Sequence, residues 1–219
     1  MALKQPIAIR NEYVARESTT FRVQQHGKGL SSGRFTIVQP DDQSFMEKPS
    51  SPEKSSDAAT EDQTLMYVDG QFGSLGAKRS FRDASGLPLF DLYRKAAGVT
   101  WFVELPGGSD TAIARLAPRF STLKDKLEVT VKNAAGDGED TTLHVQGQDI
   151  WKQRTNVYLG DKVVMTAKRT DKWSVYVPGK KLEWVVDVAA GMDISLAAVI
   201  VVVLAANMYD SSMQHSNAP

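Results

Sequence analysis

The stretch Ile194-Ser-Leu-Ala-Ala-Val-Ile-Val-Val-Val-Leu-Ala-Ala206 is the most apolar part of this 219-residue chain and decides its fold. Thirteen helical residues at about 1.5 Å each span roughly 20 Å. A bilayer core of about 30 Å needs some 20 apolar residues, so the stretch is too short for a membrane anchor, even when counted from Asp193 to Asp210. A helix that is apolar on every side must be buried on every side. The sequence therefore predicts a buried helix over 194–207, N-capped by Asp193, inside a closed β-barrel.

Strands separated by turns are predicted through most of the remaining chain. Leu127, Val129 and Val131 alternate with polar residues, which is typical of a half-buried strand. The pair Gly160-Asp161 lies between two apolar runs and indicates a hairpin. Strands are predicted at 21–25, 35–39, 65–69, 78–83, 89–95, 100–105, 111–116, 127–131, 143–147, 155–159, 162–168, 173–177 and 182–188. About a dozen evenly spaced strands favour a barrel or a sandwich, and the apolar helix favours the barrel.

Composition limits the class of protein. Hydrophobic residues make up 42% of the chain, the formal net charge is zero, and there are no cysteines. Disulfides, thiolate metal sites and a cysteine nucleophile are therefore excluded, and nothing in the overall charge indicates nucleic acid as a partner. The first residues lack an apolar run of signal-peptide length. We expect a cytoplasmic protein, with a peripheral membrane or nuclear location as alternatives.

One segment differs from the rest in composition. Residues 40–62 contain three prolines, many serines, and seven acids against two lysines. Such a sequence does not bury enough apolar surface to fold. We expect a single domain over residues 1–219, with its core at about 20–210 and a disordered acidic loop at 40–62.

Several motifs together resemble the LURP-one-related family. They are Phe-Gly-Ser-Leu-Gly-Ala-Lys-Arg at 72–79, Asp-Ala-Ser-Gly-Leu-Pro-Leu at 83–89, and Trp-Val-Val-Asp-Val-Ala-Ala-Gly-Met-Asp at 184–193. The resemblance covers roughly residues 20 to 210. Ala190 stands where the family often has proline, and the acidic insertion is longer than usual.

The resemblance implies a fold and a set of functions to test. The family shares its fold with the tubby C-terminal domain and the phospholipid scramblases, which is a twelve-stranded closed antiparallel β-barrel around a hydrophobic C-terminal helix. Tubby domains bind phosphoinositides, scramblases act at membranes and respond to calcium, and plant members are linked to defence. Fold alone does not transfer function. Here the scramblase features are weak, because there is no cysteine for acylation and no dense acidic calcium loop before the helix.

No catalytic constellation is present in the sequence. The three histidines, His26, His144 and His215, are scattered and lack neighbouring carboxylates in a motif. There is no phosphate-binding loop before a helix and no nucleophile elbow. We therefore expect a protein that is not an enzyme and that needs no cofactor or metal.

Clusters of basic residues are the remaining candidate for a binding site. Between 162 and 181 the chain carries six lysines and arginines against Asp171 alone, and a second excess of cations lies between 72 and 95. The candidate lipid-binding residues are Lys168, Arg169, Lys180, Lys181, Lys78 and Arg79. They predict an anionic phospholipid or phosphoinositide headgroup as ligand. The alternatives are strand ends that are basic for solubility, an interaction scaffold in stress or defence signalling with an unknown protein partner, and, less favoured, a lipid scramblase.

Overall fold

The computed structural model describes residues 2–26, 34–40, 62–70, 78–95, 98–108, 111–119, 126–136, 138–148, 153–170 and 182–216, the last eight of these by their backbone only. The predicted strand at 173–177, the basic residues Lys180 and Lys181, and nearly all of the acidic segment 40–62 lie outside these residues.

Twelve antiparallel strands, β2 to β13, form a closed barrel, as the sequence predicts. Each strand pairs with its neighbours in sequence, and the last of the twelve pairs with the first to complete the circle. The strands are β2 (Thr19–Gln25), β3 (Phe35–Gln39), β4 (Gln63–Gly70), β5 (Arg79–Asp83), β6 (Pro88–Arg94), β7 (Trp101–Glu104), β8 (Ala114–Arg119), β9 (Lys126–Lys132), β10 (Asp140–Gly147), β11 (Arg154–Leu159), β12 (Lys162–Arg169) and β13 (Glu183–Val188).

The alternation seen in the sequence becomes the two faces of the barrel wall. In β9, Leu127, Val129 and Val131 are buried, whereas the residues between and beside them are partly or fully exposed. In β13, Trp184, Val186 and Val188 are buried in the same way. Because successive strand residues point to opposite faces, every strand contributes one row of side chains to the interior.

The C-terminal helix α1 (Ile194–Ser216) fills that interior. The eight consecutive residues 196–203 are all 0% exposed, and this run covers more than two helical turns. The helix is therefore enclosed on every side, which confirms the predicted buried helix. It continues past the predicted end at residue 207. Its length of about 34 Å exceeds that of the barrel strands, about 13–27 Å, so its last turns leave the barrel. In the described part of the chain, no helix combines the length and hydrophobicity that crossing a membrane requires.

A segment that the sequence did not predict packs where the helix begins. This N-terminal strap, residues 2–16, contains β1 (Ala2–Ile7) and a short 3-10 turn (Asn11–Tyr13). Strand β1 pairs in parallel with β14 (Ala190–Met192), the three-residue strand that leads into the helix. Ile7 and Ile9 of the strap are 2% and 5% exposed and join the main hydrophobic core.

The two ends of the barrel are thus different. The strap end is where β13 finishes at Val188 and the helix begins. The exit end is where the helix leaves the barrel, and there the Trp101 indole N–H donates to Asn207 Oδ1 at 3.3 Å. Since neighbouring strands are antiparallel, each strand has one terminus at the strap end and the other at the exit end.

Candidate functional site, a basic rim at the exit end of the barrel

The topology brings the described members of the two predicted basic clusters to the same end of the barrel. Lys78 and Arg79 stand at the start of β5, and Lys168 and Arg169 stand at the end of β12. Both positions belong to the exit end. The two strands are five steps apart in the strand order, which is about 24 Å around the wall at roughly 4.8 Å per strand. The clusters therefore lie on one rim but on different sides of it.

Cations dominate the described residues of the exit end, and we call this set the basic rim. It comprises the charged residues in the outermost two positions of each strand and the described residues that adjoin them. Its cations are Arg34, Lys78, Arg79, Arg94, Lys95, Arg119, Lys126, Arg154, Lys168 and Arg169. Its acids, among the described residues, are Asp69 and Glu183.

The strap end has the opposite balance of charge. By the same definition its acids are Asp62, Asp83, Glu104, Glu139, Asp140, Asp161 and Asp187. Its cations on the barrel strands are Arg82, Arg115, Lys132 and Lys162. The strap and the residue after it add Lys4, Arg10 and Arg16 against Glu12 and Glu17, so acids still outnumber cations at this end. The charge of the described strand ends is therefore separated along the barrel axis, and such a distribution orients a protein toward an anionic surface.

Lys168 and Arg169 occupy different faces of the wall. The Lys168 side chain is 51% exposed, and its Nζ lies 3.3 Å from Asp187 Oδ2. An ion pair this exposed contributes little to stability, so Lys168 is available to another anion. The strand register places Arg169 opposite the buried Trp184. Arg169 therefore belongs to the inward-facing row, where it is half-buried at the mouth of the barrel.

Lys78 and Arg79 are held by neighbouring side chains. Lys78 Nζ lies 3.0 Å from Asp91 Oδ2, and the Ser80 hydroxyl donates to the other oxygen of that carboxylate at 2.6 Å. Arg79 is only 5% exposed, and its guanidinium carbon lies 5.3 Å from the centre of the Phe35 ring. Arg79 therefore packs inside the wall, where so little of its side chain is exposed that it does not present its charge to a headgroup.

The hairpin of β6 and β7 adds two cations that the predicted site residues did not include. The Arg94 guanidinium carbon lies 5.2 Å from the centre of the Trp101 ring. Lys95 Nζ lies 5.5 Å from the centre of the Phe102 ring. The sequence indicates this arrangement, because Tyr93 directly precedes the two cations and the aromatic residues Trp101 and Phe102 follow a few residues later.

Within the described residues, no three His, Asp or Glu side chains are grouped closely enough to hold a metal ion. His26 Nε2 lies 2.6 Å from the Thr36 hydroxyl oxygen on the neighbouring strand. This contact links β2 to β3 at the exit end.

Comparison with known proteins identifies the fold family. The model of the LURP-one-related family matches residues 19–205. No protein among the curated proteins compared with the chain matches it. An X-ray structure of a protein from Arabidopsis thaliana is similar, with a TM-score of 0.56 and 19% sequence identity over 91% of this chain and 96% of that chain. At that identity the likeness concerns the fold alone.

Proposed function

Because this chain belongs to the LURP-one-related family, we propose that it is a non-enzymatic, tubby-like module that binds anionic phospholipid headgroups, phosphoinositides included. The observation that carries the proposal is the separation of charge between the two ends of the barrel. The basic rim surrounds the point where the helix leaves the barrel, and the acids gather at the strap end.

The chemistry of the rim suits phosphate groups. Each basic residue near an anionic leaflet contributes about 1 kcal/mol to binding, and arginine donates two parallel hydrogen bonds to a phosphate. Lys168 is exposed, Arg169 lies beside it at the mouth of the barrel, and Lys180 and Lys181 complete the cluster in the sequence. We propose that these four residues supply most of the electrostatic attraction.

Location follows from the same proposal. A protein bound mainly by screened charge associates reversibly with a membrane surface. We therefore propose a cytoplasmic protein that joins anionic membranes at their periphery, with the exit end facing the lipid and the strap end facing away.

Vesicle flotation tests the proposed function. The full chain is mixed with vesicles of phosphatidylcholine alone, with added phosphatidylserine, or with added phosphoinositide, each at low and at physiological salt. We expect flotation with the two anionic compositions, a decrease as salt rises, and no flotation with phosphatidylcholine alone. Failure to float with either anionic composition at low salt would overturn lipid binding. The scaffold hypothesis, with the acidic segment 40–62 as the element that meets a partner protein, would then replace it.

A further inference from the structure

The hairpin of β6 and β7 carries an exposed aliphatic side chain on the basic rim. Val99 is 56% exposed and lies between the last residue of β6 and the first residue of β7. The backbone N–H of Gly98, the residue before Val99, donates to the carbonyl of Lys95 at 2.9 Å. Both strands of this hairpin meet the turn at the exit end of the barrel.

The other large exposed hydrophobic residues of the described chain lie elsewhere. Leu87, Leu105 and Val163 are at the strap end, and Tyr67 lies within β4 on the outer wall. Single exposed apolar residues are ordinary on protein surfaces. Val99 differs from these because it lies at the end of the barrel where the cations gather.

The base of the hairpin has the composition of a membrane interface. The rings of Tyr93 and Phe102 stack on the partly exposed outer face, with 5.7 Å between their centres. Lys95 lies over Phe102, and the Tyr93 hydroxyl donates to Glu104. Tyrosine, which combines an apolar ring with a polar hydroxyl, is favoured at the level of lipid headgroups, and Phe102 adds apolar area beside it. Toward the barrel, the described residues of the hairpin thus present an exposed aliphatic side chain, then cations, then aromatic rings.

From this order we infer that the β6–β7 hairpin penetrates the headgroup layer of an anionic membrane. Val99 enters the boundary of the acyl chains, Lys95 and Arg94 meet lipid phosphates, and Tyr93 and Phe102 remain at headgroup level. The inference rests on the proposed lipid binding and adds a hydrophobic anchor to it. A lipid surface fits better than a protein, because one aliphatic tip is far smaller than a specific protein interface of about 1,200 Å² or more, whereas the surrounding charge complements an anionic bilayer.

The absence of cysteine in the chain makes a site-specific probe straightforward. We would prepare Val99→Cys and, as a matched control, Leu87→Cys, which replaces a residue that is 64% exposed at the strap end. Each is labelled with an environment-sensitive fluorophore and mixed with phosphatidylserine-containing vesicles, and flotation of the labelled protein verifies binding. We expect a blue shift and a gain in emission for the label at 99 and no change for the label at 87.

Two unlabelled variants, Val99→Ser and Leu87→Ser, test the same inference through their affinity for the vesicles. Val99→Ser should weaken binding to these vesicles about fivefold, because it removes part of the transfer free energy of one valine side chain. The loss should persist as salt rises, since it does not depend on charge. Leu87→Ser should bind like the wild type. Circular dichroism of both variants verifies that they fold.

The outcomes separate the two proposals. A wild-type protein that floats while the label at 99 keeps its emission in water overturns hairpin insertion and leaves the proposed function intact. Equal emission shifts for the labels at 99 and 87 would also overturn hairpin insertion and leave the proposed function intact. So would a Val99→Ser protein that binds the vesicles as tightly as the wild type. A wild-type protein that does not bind anionic vesicles overturns the proposed function and insertion together.

Discussion

The carboxylate of Asp193 accepts a hydrogen bond on Oδ2 from the backbone N–H of Ile9, at 2.9 Å and across 184 positions of sequence. The N–H of Arg10 donates to the same oxygen. The other oxygen, Oδ1, accepts from the backbone N–H groups of Ser195 and Leu196 and from the Ser195 hydroxyl. One side chain therefore caps the central helix and fastens the N-terminal strap. Burial raises the pKa of Asp193, and the donated hydrogen bonds oppose that shift.

Replacing Asp193 with asparagine should destabilise the protein severely. Both carboxylate oxygens face N–H or O–H donors, so the amide NH₂ group of asparagine would meet donors at either position. Leaving buried donors without acceptors costs about 1–3 kcal/mol each. We expect the free energy of unfolding in urea to fall by about 3 kcal/mol, and hydrogen exchange at Ile9 and Arg10 to accelerate.

The control for this variant is Asp187→Asn. Asp187 also accepts from a hydroxyl, that of Thr20, and it pairs with Lys168. Its side chain is 45% exposed, so its loss should cost less than about 1 kcal/mol. Equal losses in the two variants would contradict the role assigned to Asp193.

Gly191 should be needed both for its backbone conformation and for the approach of the strap. Its φ is +92°, and a Cβ atom there would lie 3.0 Å from Leu3 Cβ. Gly86 has a similar φ of +89° with nothing within 4 Å of the added atom. Both alanine variants pay about 1–2 kcal/mol of backbone strain. We expect Gly191→Ala to be the less stable in thermal unfolding, and we expect the difference to shrink when Leu3 is also changed to glycine, which removes the Cβ atom that the new methyl group would meet.

The central helix was predictable, and the strap was not. The run of apolar residues without a polar face implies full burial, and Asp193 directly before it implies an N-cap. By contrast, β1 contains Pro6, and its exposure does not alternate regularly. It is held by a parallel partner of three residues from the far end of the chain. Because the two paired strands lie almost at opposite ends of the sequence, no short stretch of residues shows a pattern that would predict their pairing.

The candidate site was predictable in composition but not in geometry. A run of lysines and arginines is visible in the sequence, yet which end of the barrel it occupies depends on the order and direction of all twelve strands. The burial of Arg79 could have been inferred, because Phe81 lies two residues later and must share its face. Charge composition favoured Arg79 as a surface residue, and strand alternation would have placed it in the wall.

Asp83, in the turn between β5 and β6, should titrate with a lowered pKa. The hydrogen bond from the Ser85 hydroxyl is the largest cause that lowers the pKa of Asp83, and the backbone N–H of Leu87 adds to it. Because the pKa of Asp83 is lowered, its charged carboxylate stabilises the folded protein. This contribution is fully present above the ordinary pKa of 3.8 and is lost as the pH falls through the lowered pKa. In an NMR titration of the carboxyl carbon, Ser85→Ala should move the midpoint of Asp83 upward toward 3.8.

Ser80→Ala provides the control for that titration. Ser80 lies in the same strand, but its hydroxyl donates to Asp91, so the midpoint of Asp83 should not move. An unchanged midpoint in Ser85→Ala would show that the hydroxyl does not hold the charged form of Asp83.

A charge in the enclosed part of the helix should prevent folding. Val201 is 0% exposed, and an unpaired buried charge costs several kcal/mol. We expect Val201→Asp to give no cooperative thermal transition. The matched variant Val163→Asp, at a position 37% exposed, should unfold cooperatively near the wild-type temperature. A folded Val201→Asp protein would contradict the enclosure of the helix.

The basic cluster of Lys168, Arg169, Lys180 and Lys181 should carry most of the electrostatic attraction to lipid. Changing all four to glutamine should weaken binding to anionic vesicles at low salt by up to about 4 kcal/mol, since each basic residue contributes about 1 kcal/mol near an anionic leaflet. The difference from the wild type should shrink as salt rises, because the Debye length falls to about 8 Å at physiological ionic strength. The control changes the four exposed cations Lys4, Arg115, Lys132 and Lys162, which lie toward the strap end. Both variants remove the same net charge, so equal losses would show that net charge, and not its position on the barrel, determines binding.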